Sequence, residues 1–123
     1  MKHMKLIIAG SRTFNDYQLM CDKLDWLLQN QDNVSVVYGE AKGADALGRK
    51  YGEERGCEIL SYPADWDKYG KQAGYIRNEQ MATAADACVV FWDGKSKGSK
   101  HMIDTMRKLN KPVKVILFRE NKQ

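Results

Sequence analysis

Three turn-forming stretches, Gly10-Ser11-Arg12-Thr13, Gly39-Glu40-Ala41-Lys42-Gly43-Ala44-Asp45 and Trp92-Asp93-Gly94-Lys95-Ser96-Lys97-Gly98-Ser99, each follow an apolar run and set glycines beside polar or charged side chains. Their chemistry is that of holding an anion. Gly10, Gly39, Gly43, Gly94 and Gly98 carry no side chain, so backbone amides there can approach a phosphate closely. Arg12 adds a planar, permanently charged fork for phosphate oxygens. Ser11, Ser96 and Ser99 supply hydroxyl donors. Asp45 and Asp93 disfavour a phosphate by charge and suit a ribose or a base instead; Asp45 also fits the first turn of a following helix, as a partner of its dipole. Any one of these turns is also what an α/β chain uses simply to change direction. Their ordered combination is the informative signal.

The third stretch is not the phosphate loop of an ATPase. That loop needs four residues between its first glycine and a Gly-Lys-Ser/Thr triplet, and Val89 stands where the first glycine of Gly94-Lys95-Ser96 would be. A strand, a glycine-rich turn and a helix whose first amides are free remain, which is a general anion-binding arrangement. A fourth stretch, Gly74-Tyr75-Ile76-Arg77-Asn78-Glu79, sets an arginine and an asparagine near a helix start. Arg77 and Asn78 either aim at the same crevice, or Arg77 pairs at the surface with Glu79 or Asp86. Tyr62, Trp66, Tyr69 and Tyr75 are candidates for an aromatic wall beside a base, or for ordinary packing of a long connection.

The elements that must position these residues alternate along the chain. Strands are predicted at Lys5 to Ala9, Val34 to Tyr38, Glu58 to Tyr62, Ala87 to Trp92 and Val113 to Phe118. Helices are predicted at about Asp16 to Gln29, Ala44 to Arg55, Gln72 to Ala84 and Ser99 to Asn110. Asn15 or Asp16 would cap the first and Gly56 would end the second; Leu47 and Tyr51 face inward on the second, and Met102, Ile103, Met106 and Leu109 on the last. Pro63 opens a long connection, PADWDKYGKQAG, with no assigned element. This alternation predicts one Rossmann-like α/β domain: a mostly parallel five-stranded sheet between two helix layers, in the order 3-2-1-4-5. A ligand crevice then forms outside the strand ends where the winding reverses, between the first and fourth strands.

With 123 residues the chain suits a single domain. Apolar residues make up 43% and charged residues 29%, a soluble globular profile with no membrane-spanning run and no secretory signal, so a cytoplasmic protein is expected. Cys21, Cys57 and Cys88 form neither a disulfide framework nor paired zinc-ligand spacings, and His3 and His101 have no evident co-ligands, so no metal site is expected. The net charge of +4 is permissive for an anionic ligand without forming a concentrated basic stripe.

AGSR after the first strand, YGEAKGAD after the second, GYIRNEQMA before the fourth and the later GSKHMID, as an ordered set over roughly Met4 to Phe118, resemble the SLOG superfamily, in its YspA-type, YpsA-related branch. The resemblance implies a Rossmann-like domain binding a nucleotide or nucleotide-derived molecule at the strand ends, a homo-oligomer, and no certain cofactor beyond a magnesium ion that would arrive with a nucleotide. The site residues are then Gly10, Ser11, Arg12, Gly39, Glu40, Gly43, Asp45, Arg77, Asn78, Asp93, Gly94, Ser96, Gly98 and Ser99. The distantly related Lonely Guy phosphoribohydrolases cleave an N-glycosidic bond with an arginine and a glutamate. Arg77 matches the arginine, but Met102 occupies the glutamate position, and methionine exchanges no proton. Enzyme activity therefore stays open, with Arg77, Glu40 and Asp45 as catalytic candidates and Glu79 and Asp93 as further carboxylates. The DNA-processing branch of the superfamily implies a third reading, single-stranded nucleic-acid binding.

Overall fold

The computed structural model describes residues 3–119. Its five strands are β1 (Met4–Gly10), β2 (Val34–Tyr38), β3 (Glu58–Ser61), β4 (Ala87–Trp92) and β5 (Val113–Leu117). All pair in parallel, in the order β3-β2-β1-β4-β5. The registers Ile7↔Val37 and Ile7↔Cys88 put β1 at the centre, buried on both faces. Because side chains alternate along a strand, Leu6 and Ile8 enter one core, with Phe14, Met20, Leu24, Val36 and Phe91. Ile7 and Ala9 enter the other, with Val37, Met81, Val90, Met102 and Met106.

Helices α1 (Tyr17–Leu27) and α2 (Ala44–Glu54) cover the first core, and α4 (Ala73–Ala84) and α5 (Lys97–Lys108) the second. Asp16 caps α1 as expected, its carboxylate accepting the Leu19 amide at 3.0 Å. Two glycines let α2 lie close on the sheet. A Cβ at Gly48 would come within 2.6 Å of Ile8 Cγ2, and one at Gly52 within 2.8 Å of Val36 Cγ2. Gly56 follows with the expected left-handed conformation.

Besides shifts of one or two residues at the ends of several elements, the structure differs from the sequence-based expectation in the following respects. The connection after Pro63 contains a helical turn, α3 (Trp66–Tyr69), and a 3-10 turn over Gly70–Gln72. Asp65 starts α3 by accepting the Lys68 amide at 3.1 Å, a capping signal that a four-residue helix makes easy to miss. Helix α5 begins at Lys97 rather than Ser99, because Ser96 takes the cap position. Leu109 lies past the last helical residue, so it turns outward and is 42% exposed.

Candidate ligand-binding site

A cavity of about 440 Å³ opens at the carboxyl ends of β1 and β4, where the winding reverses. Gly10, Ser11 and Arg12 reach it from β1, Asp93 and Ser96 from the turn after β4, and Gly98 and Ser99 from the first turn of α5. Arg77 and Asn78 enter from α4, and Asp45 from the start of α2. The segments predicted to share one rim therefore do so.

Gly39 and Gly43 stand behind the lining rather than in it. Gly43 has φ +72°, and a Cβ there would collide with the carbonyl oxygens of Ser11 and Arg12. The bare backbone lets the β2 turn nest against the β1 turn, and the Ala44 amide donates to the Ser11 carbonyl at 3.2 Å. Gly94 and Glu40 are exposed turn residues outside the cavity lining, each with positive φ. Glu40 reaches the site through its charge, which acts on Arg77.

The hydroxyls and carboxylates are engaged with one another. Ser96 Oγ donates to Asp93 Oδ1 at 2.7 Å, and its single proton is thereby used. In the 2.6 Å contact between Ser11 Oγ and Ser96 Oγ, Ser11 must then be the donor. Ser11 Oγ also accepts the Asp93 amide at 3.0 Å. Neither serine keeps a proton for a ligand, contrary to the donor role expected from sequence. Asp93 Oδ1 takes the amides of Lys95 and Ser96 as well, both at 2.8 Å. Its partial desolvation works against ionisation, but the Ser96 hydroxyl, the Ser96 and Lys95 amides and Ser11 outweigh it and hold the carboxyl well below the usual range. The glycine turn thus cradles its own aspartate. The amides that α5 geometry leaves without a helical acceptor are those of its first turn, at Lys97, Gly98 and Ser99.

Arg77 is half-buried and makes neither of the surface ion pairs considered from sequence. Its Nη1 donates to the Gly39 carbonyl and its Nε to Asn78 Oδ1 at 3.1 Å. Asn78, buried, bridges α4 to α5 by donating to the Gly98 carbonyl at 3.2 Å, so it aims Arg77 rather than standing free for a ligand. Asp45 is buried beneath this arrangement and accepts the Gly39 amide at 3.1 Å. Burial pushes its carboxyl up to about 6, against the pull of Arg77 and of the Gly39, Ala41 and Gly10 amides. Asp45 is in the first turn of its helix, as one sequence reading had it, and also lines the cavity.

Of the four aromatic candidates, Trp66 and Tyr75 line the cavity. Tyr62 packs on the second core, and Tyr69 is exposed with the Lys68 ammonium 5.1 Å from its ring centre. Trp66 is 55% exposed, with one wall of the cavity formed by its ring. Lys71 also lines it and escaped the sequence reading; it lies in the 3-10 turn that follows α3, and the Asp65 cap of α3 was the nearest available signal. Met102 sits at the cavity floor, 1% exposed and packed in the second core. Among the described residues no three His, Cys, Asp or Glu side chains converge as metal ligands, and no helix is long and apolar enough to cross a membrane.

Comparison with known proteins places this geometry. The model of the YspA, cpYpsA-related SLOG family matches residues 4–69. The Gene 61 protein of Mycobacterium phage D29 is 34% identical over 116 residues, spanning 89% of this chain and 93% of its own. Among solved structures, DNA processing protein A of Streptococcus pneumoniae superposes with a TM-score of 0.74 at 17% identity, over 92% of this chain and 50% of the other. DNA processing protein A of Helicobacter pylori, described for its single-stranded DNA binding mode, superposes at 0.66 with 23% identity, over 98% and 68%. The chain thus spans half the length of the first of these structures, and at such identities the two likenesses establish the fold. By its sequence match over residues 4–69, more than half of its length, the chain belongs to the YspA, cpYpsA-related SLOG family.

Proposed function

We propose that this protein binds a nucleotide or nucleotide-derived small molecule in the crevice at the strand ends. One observation carries the reading: a single cavity is lined by Arg12, by Arg77 and by the first turn of α5 with its free amides, and also by Tyr75 and the exposed Trp66. A phosphate suits the arginines and the helix N-terminus, where guanidinium forks and free amides favour negative charge. A base suits Trp66, whose exposed aromatic face is available for stacking. Asp93 keeps one carboxylate oxygen outside its turn contacts to accept from a ribose hydroxyl. A magnesium ion would enter on the ligand's phosphates, since among the described residues no three His, Cys, Asp or Glu side chains converge to hold it. Homo-oligomerisation and a cytoplasmic setting belong to the same proposal.

A second reading, a unit of single-stranded DNA in the same crevice, is favoured by the fold shared with DNA processing proteins and by Lys71 beside the exposed Trp66 at the cavity. Glycosidic cleavage draws no support at Met102, which presents a thioether where a proton would have to move. Calorimetry with a panel of mononucleotides and short oligonucleotides at several salt concentrations, with chromatography of the mixtures, tests all three. Heat from mononucleotides without released base is expected. Steeply salt-dependent binding restricted to oligonucleotides would replace the first reading by the second, and released base would establish a hydrolase.

A further inference from the structure

Asp45 and Arg77 hold the two backbone polar groups of one residue, Gly39. The Gly39 amide donates to Asp45 Oδ2 at 3.1 Å, and the Gly39 carbonyl accepts from Arg77 Nη1. A buried carboxylate is tolerated only while a positive charge and hydrogen-bond donors offset its lost hydration. Here Arg77 provides the charge and the turn amides the donors. An anion seated against Arg12 and Arg77 draws on the same guanidinium, so two negative charges then share it in a poorly solvated site.

We propose that anion binding at this crevice is coupled to proton uptake by Asp45, which acts as a positioning residue whose charge state sets the affinity. The inference rests on the binding reading above. The proton comes from solvent and bonds to a carboxyl oxygen, so the balance is protein plus anion plus one proton giving the complex. Protonation leaves an acceptor oxygen for the Gly39 amide, and the turn keeps its shape. It also frees Arg77 from its internal counter-charge.

The groups facing the pair are few. Arg12 acts on Arg77 from the turn after β1, Glu40 from the turn after β2, and the Cys88 thiol faces Asp45 from β4. Burial pushes that thiol up, so it stays neutral at working pH. Burial likewise leaves the His101 imidazole easier to deprotonate, and His101 contacts Asn78 rather than Asp45. A free carboxyl titrating at about 6 and a bound one titrating higher give an affinity that is greatest in acid and falls as pH rises from about 6, levelling off above the bound value. A rise of one pH unit on binding corresponds to an affinity change of about tenfold across the window.

Inorganic sulfate is a suitable probe, because it stays dianionic across this range and adds no titration of its own. Its binding is followed by the amide resonances of Gly98 and Ser99 from pH 5 to 8 at constant ionic strength. Affinity should fall about tenfold through the window in the natural protein and change less in Asp45→Asn, where His101 still titrates and serves as the internal control. A second measurement needs no variant: the Asp45 carboxyl carbon should titrate at higher pH with sulfate than without it. Sulfate binding with identical pH profiles in both proteins, or an Asp45 midpoint that sulfate leaves in place, would overturn the coupling while the anion site stands. Absence of sulfate binding at every pH would overturn both.

Discussion

Gly39 and Arg77 lie 38 residues apart, yet the Gly39 carbonyl accepts from the Arg77 guanidinium, and a Cβ on Gly39 would stand 2.5 Å from Nη1. That contact makes Arg77 part of the framework as well as a wall of the crevice. Arg12 on the neighbouring turn is exposed and has no such task.

The two arginines should therefore respond differently to truncation. Arg12→Ala is expected to weaken ligand binding by roughly 1.5–3 kcal/mol, the scale of a hydrogen bond to a charged group, with the melting temperature nearly unchanged. Arg77→Ala should lower both, because it leaves the Gly39 carbonyl without its donor and Asp45 without its counter-charge. Paired calorimetry and thermal melts check this, and equal melting temperatures for the two variants would contradict the framework role.

Gly43→Ala tests the nesting of the turns. The backbone strain of a side chain at φ +72° costs roughly 1–3 kcal/mol, and the collision with the Ser11 and Arg12 carbonyls adds to it. A lower urea midpoint together with lost binding is the expected outcome. A variant as stable as the natural protein would show that the two turns separate freely.

Trp66 separates base from phosphate. Trp66→Ala should reduce nucleotide affinity by about 1–3 kcal/mol, the range for base–aromatic stacking, and leave sulfate affinity unaltered. Nucleotide binding should also quench the fluorescence of this half-exposed indole. Equal losses for nucleotide and sulfate would place Trp66 outside any base subsite.

Asp45 has a signature in stability as well. Its folded carboxyl keeps its proton up to about pH 6, whereas the unfolded one releases it near the ordinary value of 3.8. Between those values the folded state binds more protons, so this group's contribution to stability falls as pH rises. A separation of about two pH units makes the cost at neutral pH about 3 kcal/mol, absent in strong acid. The urea stability of Asp45→Asn relative to the natural protein should thus rise between pH 4 and 7. A flat difference would mean that Asp45 ionises in the fold as easily as outside it.

Much of the architecture could be read from short windows. A run such as Leu6 to Ala9, apolar at every position, has to be a strand covered on both faces, and five such runs alternating with amphipathic stretches leave little choice beyond the observed sheet. That the turns bearing Arg12, Asp45 and Gly98 meet at one rim followed from that order and the place where the winding reverses, whereas Arg77 stayed open between the crevice and a surface ion pair until the fold placed it. The helical turn at Trp66–Tyr69 was lost to the same method, since four residues carry too little periodicity to outweigh the look of a loop.

By itself the sequence determined the sheet order, the crevice and the kinds of side chain around it, because these depend on local periodicity and on the handedness of crossovers. Which of those side chains remain free to act was decided by the tertiary structure alone. Ser11, Asp93 and Ser96 are spread over as many as 85 positions of chain, and they use up one another's hydrogen-bonding capacity only once the fold closes. Burial does the same for Asp45, whose charge depends on a guanidinium from another helix and on the water excluded between them.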